Sequence, residues 1–291
     1  MMVLVALALG ASMPGMAAAN WREAPIVPEV SPAMETHLRA IARRGAGAGN
    51  RPGVVAKVGD SITESNAFLT EMACQSPRFG KFSRLEGTWR FFGQTRLPDG
   101  YGTPECEVSD SYSRRSVAAV AGWMASDANH PLQSPPPGCE GLAAVECELR
   151  LLKPAFAVVM FGTNDVEEVG TQAFRRNLAD AVAKIERAGT IPIVSTIPPR
   201  KGPFTLKTER FNREIAGLAK NRKLPLWNYW RQMAAPDVPS AGLSRDGVHP
   251  SVCRSCTSID FTPRGLQQGY ALRNLGALLA LERVRHRVFS S

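Results

Sequence analysis

The chain has 291 residues, 44% of them hydrophobic and 21% charged, with a formal net charge of +9 at pH 7. This length suits one large domain or two small ones with a sizeable core, and the composition excludes a disordered or low-complexity chain. A cationic surface could draw the protein to acidic polysaccharide, cell wall or anionic lipid. However, 27 of the 35 basic residues are Arg, without a long basic run or a basic–aromatic stripe, so the sequence does not support nucleic acid as a partner.

Residues 1–19 carry no charge. Their apolar core, 3–11, is too short to span a bilayer; Pro14-Gly15 breaks it and Ala17-Ala18-Ala19 supplies small residues for cleavage. The segment reads as a secretory signal peptide, which makes the protein secreted or periplasmic, although no Lys or Arg precedes the apolar core. The competing reading is a buried N-terminal helix. No later run is long enough for a transmembrane segment. A first helix is predicted at Ser31-Pro32, with Ser31 as N-cap, Leu38 and Ile41 on the apolar face and Gly45 at the end. Short apolar runs at 54–58, 116–120, 156–161, 191–197 and 224–227 predict strands buried on both faces. Helical stripes lie between the later ones: Phe174, Leu178, Val182 and Ile185, stopped by Gly189; then Phe211, Ile215 and Leu218. A last helix is predicted over about 263–285. Strands alternating with helices imply a parallel sheet covered on both faces.

The stretches 67–111 and 131–141 depart from this alternation and read as loop insertions over or beside the functional face. Trp89, Phe91, Phe92 and Tyr101 in the first are read as core rather than as a pocket, and Arg114-Arg115 as a solvated segment. Six cysteines in an exported chain suggest disulfides. Sequence neighbours pair Cys74 with Cys106, Cys139 with Cys147 and Cys253 with Cys256, the last as a loop staple rather than a redox or zinc motif.

Chemistry concentrates in three places. Gly59-Asp60-Ser61 follows the first strand, where open parallel sheets present reactive groups beyond the strands' carboxyl ends. Gly162-Thr163-Asn164-Asp165 follows a second strand, and Asp246-Gly247-Val248-His249 lies near the C-terminus. A serine hydroxyl is neutral at pH 7 and needs a base and an oxyanion site, for which the second and third segments offer candidates. The other histidines, His37, His130 and His286, have no neighbouring acid in such a block and read as solvated or structural.

The three segments, in this order, resemble the SGNH (GDSL-type) serine hydrolases over about residues 54–249. The resemblance implies a three-layer α/β/α sandwich on a flavodoxin-like, five-stranded parallel sheet, here a single domain over 20–291. It implies Ser61 as nucleophile, His249 as general base and Asp246 as its orienting acid. It also implies an oxyanion hole from the backbone N–H of Ser61, the side-chain amide of Asn164 and a further backbone donor. In Ala119-Val120-Ala121-Gly122-Trp123, which resembles the family's G-x-x-G-W run, Ala119 stands where a glycine is usual. Asp60 and Asp165 are expected to fix loops. The chain is thus expected to be a serine esterase needing no metal or organic cofactor, acting on a small-molecule or carbohydrate ester, foremost an O-acetylated carbohydrate. A lipase or thioesterase of the same fold is the alternative, and a catalytically silent binding protein the alternative of another class.

Overall fold

The computed structural model describes residues 20–97 and 108–289; the expected signal peptide, Tyr101 and Cys106 lie outside the described residues. In chain order the elements are α1 (Pro32–Gly47), β1 (Arg51–Gly59), α2 (Ser61–Glu64), α3 (Glu71–Cys74), α4 (Glu86–Gly93) and α5 (Ala144–Leu152), then β2 (Pro154–Met160), α6 (Asp165–Glu168), α7 (Thr171–Arg187) and β3 (Ile191–Ser195). They are followed by α8 (Thr205–Arg222), β4 (Leu226–Trp227), α9 (Tyr229–Met233) and α10 (Gly269–Phe289). Ser31 caps α1 by accepting from Met34 N–H, with Pro32 at the first helical position, where its missing N–H costs nothing.

The four strands are parallel in the order β1-β2-β3-β4. Helices α1, α4 and α10 cover one face, and α5, α7 and α8 the other, so the three-layer α/β/α class is the observed one. Both faces being covered, every residue of β2 and of β3 is buried. The fifth strand expected at 116–120 is reduced to one parallel bridge between Gly59 and Ala119, in which Gly59 N–H donates to Ala118 O and Val120 N–H to Gly59 O. Arg114 and Glu148 tie this segment inward instead: the guanidinium meets one carboxylate oxygen at 2.8 Å and Val117 N–H donates to the other. Arg114 is therefore buried, not solvated as its sequence setting suggests.

The aromatic stretch of the first insertion is core, as expected. Phe92 is fully buried edge-on to Phe156 of β2, and Trp89 donates its indole N–H to Met72 O. Cys139–Cys147 and Cys253–Cys256 are bridged as their spacing suggests. The last helix starts later than expected, because residues 265–267 form a separate 3-10 turn, with the Gly265 backbone against Asp260 O. No helix among the described residues is long and apolar enough to cross a membrane.

Candidate active site

Ser61 is the first residue of α2, directly beyond the carboxyl end of β1. The tight corner depends on Gly59: a Cβ there would lie 2.4 Å from Thr63 Oγ1 and 2.5 Å from Met160 O. Asp60 caps α2 by accepting from Ile62 N–H at 3.0 Å. Burial pushes its carboxyl pKa up, against the pull of that N–H and of the nearby Arg273. Arg273, fully buried on α10, reaches under the corner. It donates to Thr63 Oγ1 at 3.0 Å and packs its guanidinium on Phe68, 4.2 Å from the ring centre, with Tyr229 and Trp227 close by.

The segment carrying Asp246 and His249 is an exposed loop closed by a bridge between Leu243 and Pro250 and by Ser244 N–H donating to His249 O. It brings His249 Nε2 to 3.0 Å from Ser61 Oγ, and Asp246 Oδ2 to 2.7 Å from His249 Nδ1. Asp246 also accepts from the Ser244 hydroxyl and from Val248 and His249 N–H. Desolvation opposes its charge, but these hydrogen bonds dominate and hold its carboxyl well below the usual carboxylate range. Gly247 sits at φ +71°, with its carbonyl accepting from Lys201 N–H, so the turn between the acid and the imidazole suits glycine.

Asn164 follows β2 through Gly162, whose φ of +129° makes the turn. Its side-chain amide donates to Trp123 O at 2.8 Å, which orients the group and leaves its second N–H free of that bond. Asp165 accepts from Ala125 N–H with both oxygens, at 3.1 and 3.2 Å. Burial raises its pKa to about 7, against the pull of that N–H. Asp60 and Asp165 thus fix loops, as expected.

Ala119, expected as a further donor, pairs with Gly59 in the parallel bridge. Both bridge hydrogen bonds use its neighbours, so its own N–H points laterally, away from β1. Its φ is not left-handed, so alanine is unstrained there; the positive φ of the segment, +81°, belongs to Gly122. Trp123 N–H closes a turn back to Val120 O, with Gly122 at its tip.

Two contributors escaped the sequence reading. Glu64, on the same short helix as Ser61, accepts from Ala121 N–H at 2.7 Å and lies 3.5 Å from Arg115. Arg273 is the other, and its signal was a charge at core register, with Tyr270 and Ala277 as buried neighbours on one helix face. Ser61, Glu64, Ser65, Asn66, Arg115 and Tyr270 are among the residues lining an open cleft of about 520 Å³ that ends at His249. Among the described residues, no three His, Cys, Asp or Glu side chains converge as a metal site.

A hydroxyl within hydrogen-bond reach of an imidazole, itself backed by a carboxylate at the carboxyl edge of a parallel sheet, is the constellation of a serine hydrolase. Residues 58–252, two thirds of the chain, match the GDSL-like lipase/acylhydrolase family model, and the chain belongs to that family of ester-hydrolysing serine enzymes. Solved structures resemble it at low identity. A GDSL-like lipase from Bacteroides thetaiotaomicron is 18% identical, covering 86% of this chain and 98% of its own, with a TM-score of 0.48. A lipase/acylhydrolase from Enterococcus faecalis is 19% identical, covering 80% and 95%, with a TM-score of 0.48. A catalytic mutant of an acetylxylan esterase from Geobacillus stearothermophilus is 15% identical, covering 78% and 93%, with a TM-score of 0.47. No curated protein matches the chain.

Proposed function

We propose that the protein is an exported esterase that removes a short acyl group, foremost acetyl, from a carbohydrate through an acyl-enzyme on Ser61. The observation that carries the chemistry is the run Ser61 Oγ–His249 Nε2 at 3.0 Å and His249 Nδ1–Asp246 Oδ2 at 2.7 Å. Ser61 Oγ attacks the ester carbonyl carbon while Nε2 takes its proton; Asp246 holds the ring and offsets its charge. The oxygen that becomes negative is met by Ser61 N–H, the second N–H of the Asn164 amide and, in place of Ala119, the Gly122 N–H at the turn tip. Collapse breaks the bond to the alcohol, which leaves with the proton from His249. Water then attacks the acyl-serine, with His249 again as base, releasing the carboxylic acid and free Ser61.

The polar lining of the cleft supports this substrate class. Glu64, Ser65, Asn66 and Arg115 line it, and a long acyl chain laid there would take the exposed sides of these polar groups out of water and return no hydrogen bonds. A short acyl group on a hydroxyl-rich alcohol leaves them wet or paired. Export rests on the uncharged leader and the paired cysteines. The test is fluorophosphonate labelling of the full chain and its Ser61→Ala variant, followed by p-nitrophenyl esters of increasing acyl length. The expected result is labelling only with Ser61 present and highest kcat/KM for acetate. Labelling that survives Ser61→Ala removes Ser61, no labelling leaves a binding protein, and a preference for long chains makes the enzyme a lipase.

A further inference from the structure

Beside the cleft lies a second concavity of about 460 Å³, lined by Trp123, Asp127, His130, Pro131, Leu132 and Gln133. Its volume falls in the range of small-ligand sites, about 300–1,000 Å³. The two depressions share one turn. Ala121 lines the catalytic cleft, Trp123 lines the second concavity, and Trp123 O is the acceptor that orients Asn164. One turn therefore walls both depressions, and the same turn positions Asn164.

We propose that this groove is a subsite for a neutral sugar ring of the substrate, reached across the 121–123 turn from the Ser61 cleft. The inference rests on the esterase reading and names where its alcohol part binds. Trp123, Pro131 and Leu132 offer apolar surface for the C–H face of a pyranose, and Asp127, His130 and Gln133 offer polar atoms for its hydroxyls. A fatty chain would take the exposed polar atoms of His130 and Gln133 out of water and return no hydrogen bonds, and an anionic sugar would meet the Asp127 carboxylate. The wall is also preorganised. Pro131 bridges Ala143, Ala144 N–H donates to His130 O at 2.8 Å, and the Cys139–Cys147 disulfide closes the loop onto α5. Asp127 accepts from Met124 N–H at 2.7 Å, which fixes the carboxylate beside the indole-bearing turn. A wall ordered before binding loses little entropy when the sugar arrives.

The test titrates the full-length protein calorimetrically with tetrasaccharides of β-linked glucose, xylose and mannose. It then compares kcat/KM for the acetylated form of the best binder with that for p-nitrophenyl acetate. At least one tetrasaccharide should bind. Trp123→Ala and the double variant His130→Ala/Gln133→Ala should each weaken that binding about tenfold or more, and lower the ratio of the two kcat/KM values equally, through KM. His130 and Gln133 are exposed, so the double variant carries the test should Trp123→Ala not fold. Absence of binding by all three tetrasaccharides, or binding unchanged in the double variant, overturns the subsite. Hydrolysis of p-nitrophenyl acetate without sugar binding leaves the esterase standing and the subsite fallen; sugar binding without hydrolysis or fluorophosphonate labelling does the reverse.

Discussion

The two halves of the site are built in opposite ways. The Ser61 corner is held from below and within: Gly59 lets Thr63 and Met160 close in, Asp60 caps the helix, and Arg273 fills the space beneath. The Asp246–His249 loop stands in solvent, with 42% of the histidine and 48% of the aspartate side chain exposed, and is held by hydrogen bonds within itself. A nucleophile that must meet an oxyanion site to within fractions of an ångström is anchored in the core. An imidazole that must accept and release a proton is placed where water and a leaving alcohol can reach it.

The largest effect joins the two halves. Ser61→Ala and His249→Ala should each lower kcat by roughly 10⁴–10⁶-fold, and the double variant little further, because the pair acts as one unit. Modest losses that multiply in the double variant, measured by steady-state kinetics, would separate corner from loop and end the assignment. Next comes the oxyanion side: Asn164→Ala should cost roughly 10²–10³-fold in kcat with a smaller change in KM, since the charge it receives grows only in the transition state. An unchanged kcat with the circular dichroism spectrum intact removes Asn164 from the mechanism.

The contrast in construction predicts a contrast in stability. Gly59→Ala inserts a methyl against backbone and should destabilise by about 1–3 kcal/mol, lowering Tm and activity together. Ser244→Ala removes one hydrogen bond to an exposed carboxylate; it should lower kcat several-fold and leave Tm nearly unchanged. A Tm loss as large in the loop variant as in the corner variant would erase the distinction.

The smallest effect lies in the pH dependence, where two acids act with opposite sign. Asp165 has its folded pKa raised from 3.8 to about 7 by burial, so the folded state binds its proton more tightly. That contribution is full below 3.8 and is lost as pH rises through about 7. Asp246 is depressed, so its contribution is present above 3.8 and is lost only as pH falls through its lower folded value. Tm measured against pH should flatten between about 4 and 7 in Asp165→Asn, whereas Asp246→Asn should alter it only at the acid end. The reverse pattern would show that the exposed loop, not the buried turn, dominates the titration.

What was legible in the sequence follows the same division. Ser61, Asn164, Asp246 and His249 stood out because each lies in a short local pattern whose spacing already sets its geometry. The strands at β1, β2 and β3 and the capped start of α1 were likewise written locally. What escaped depends on contacts between distant segments. Lys57 lies in a run read as a buried strand, but the partner that lets a lysine sit there is not written locally: it donates to Tyr112 O at 2.9 Å, with burial lowering its pKa to about 8. The 116–120 run has strand composition, but Glu148, from α5, takes up its Val117 N–H and leaves a single bridge. The lateral direction of the Ala119 N–H is a matter of register, which composition does not carry.

The bond from Arg273 to Thr63 spans 210 residues. Translated into time, the support beneath the nucleophile is synthesised long after Ser61 itself. A growing chain that has already formed β1 and β2 still lacks the cation that braces the corner. Bracing of the corner therefore waits for α10 to dock, long after the strand that leads into it has been made.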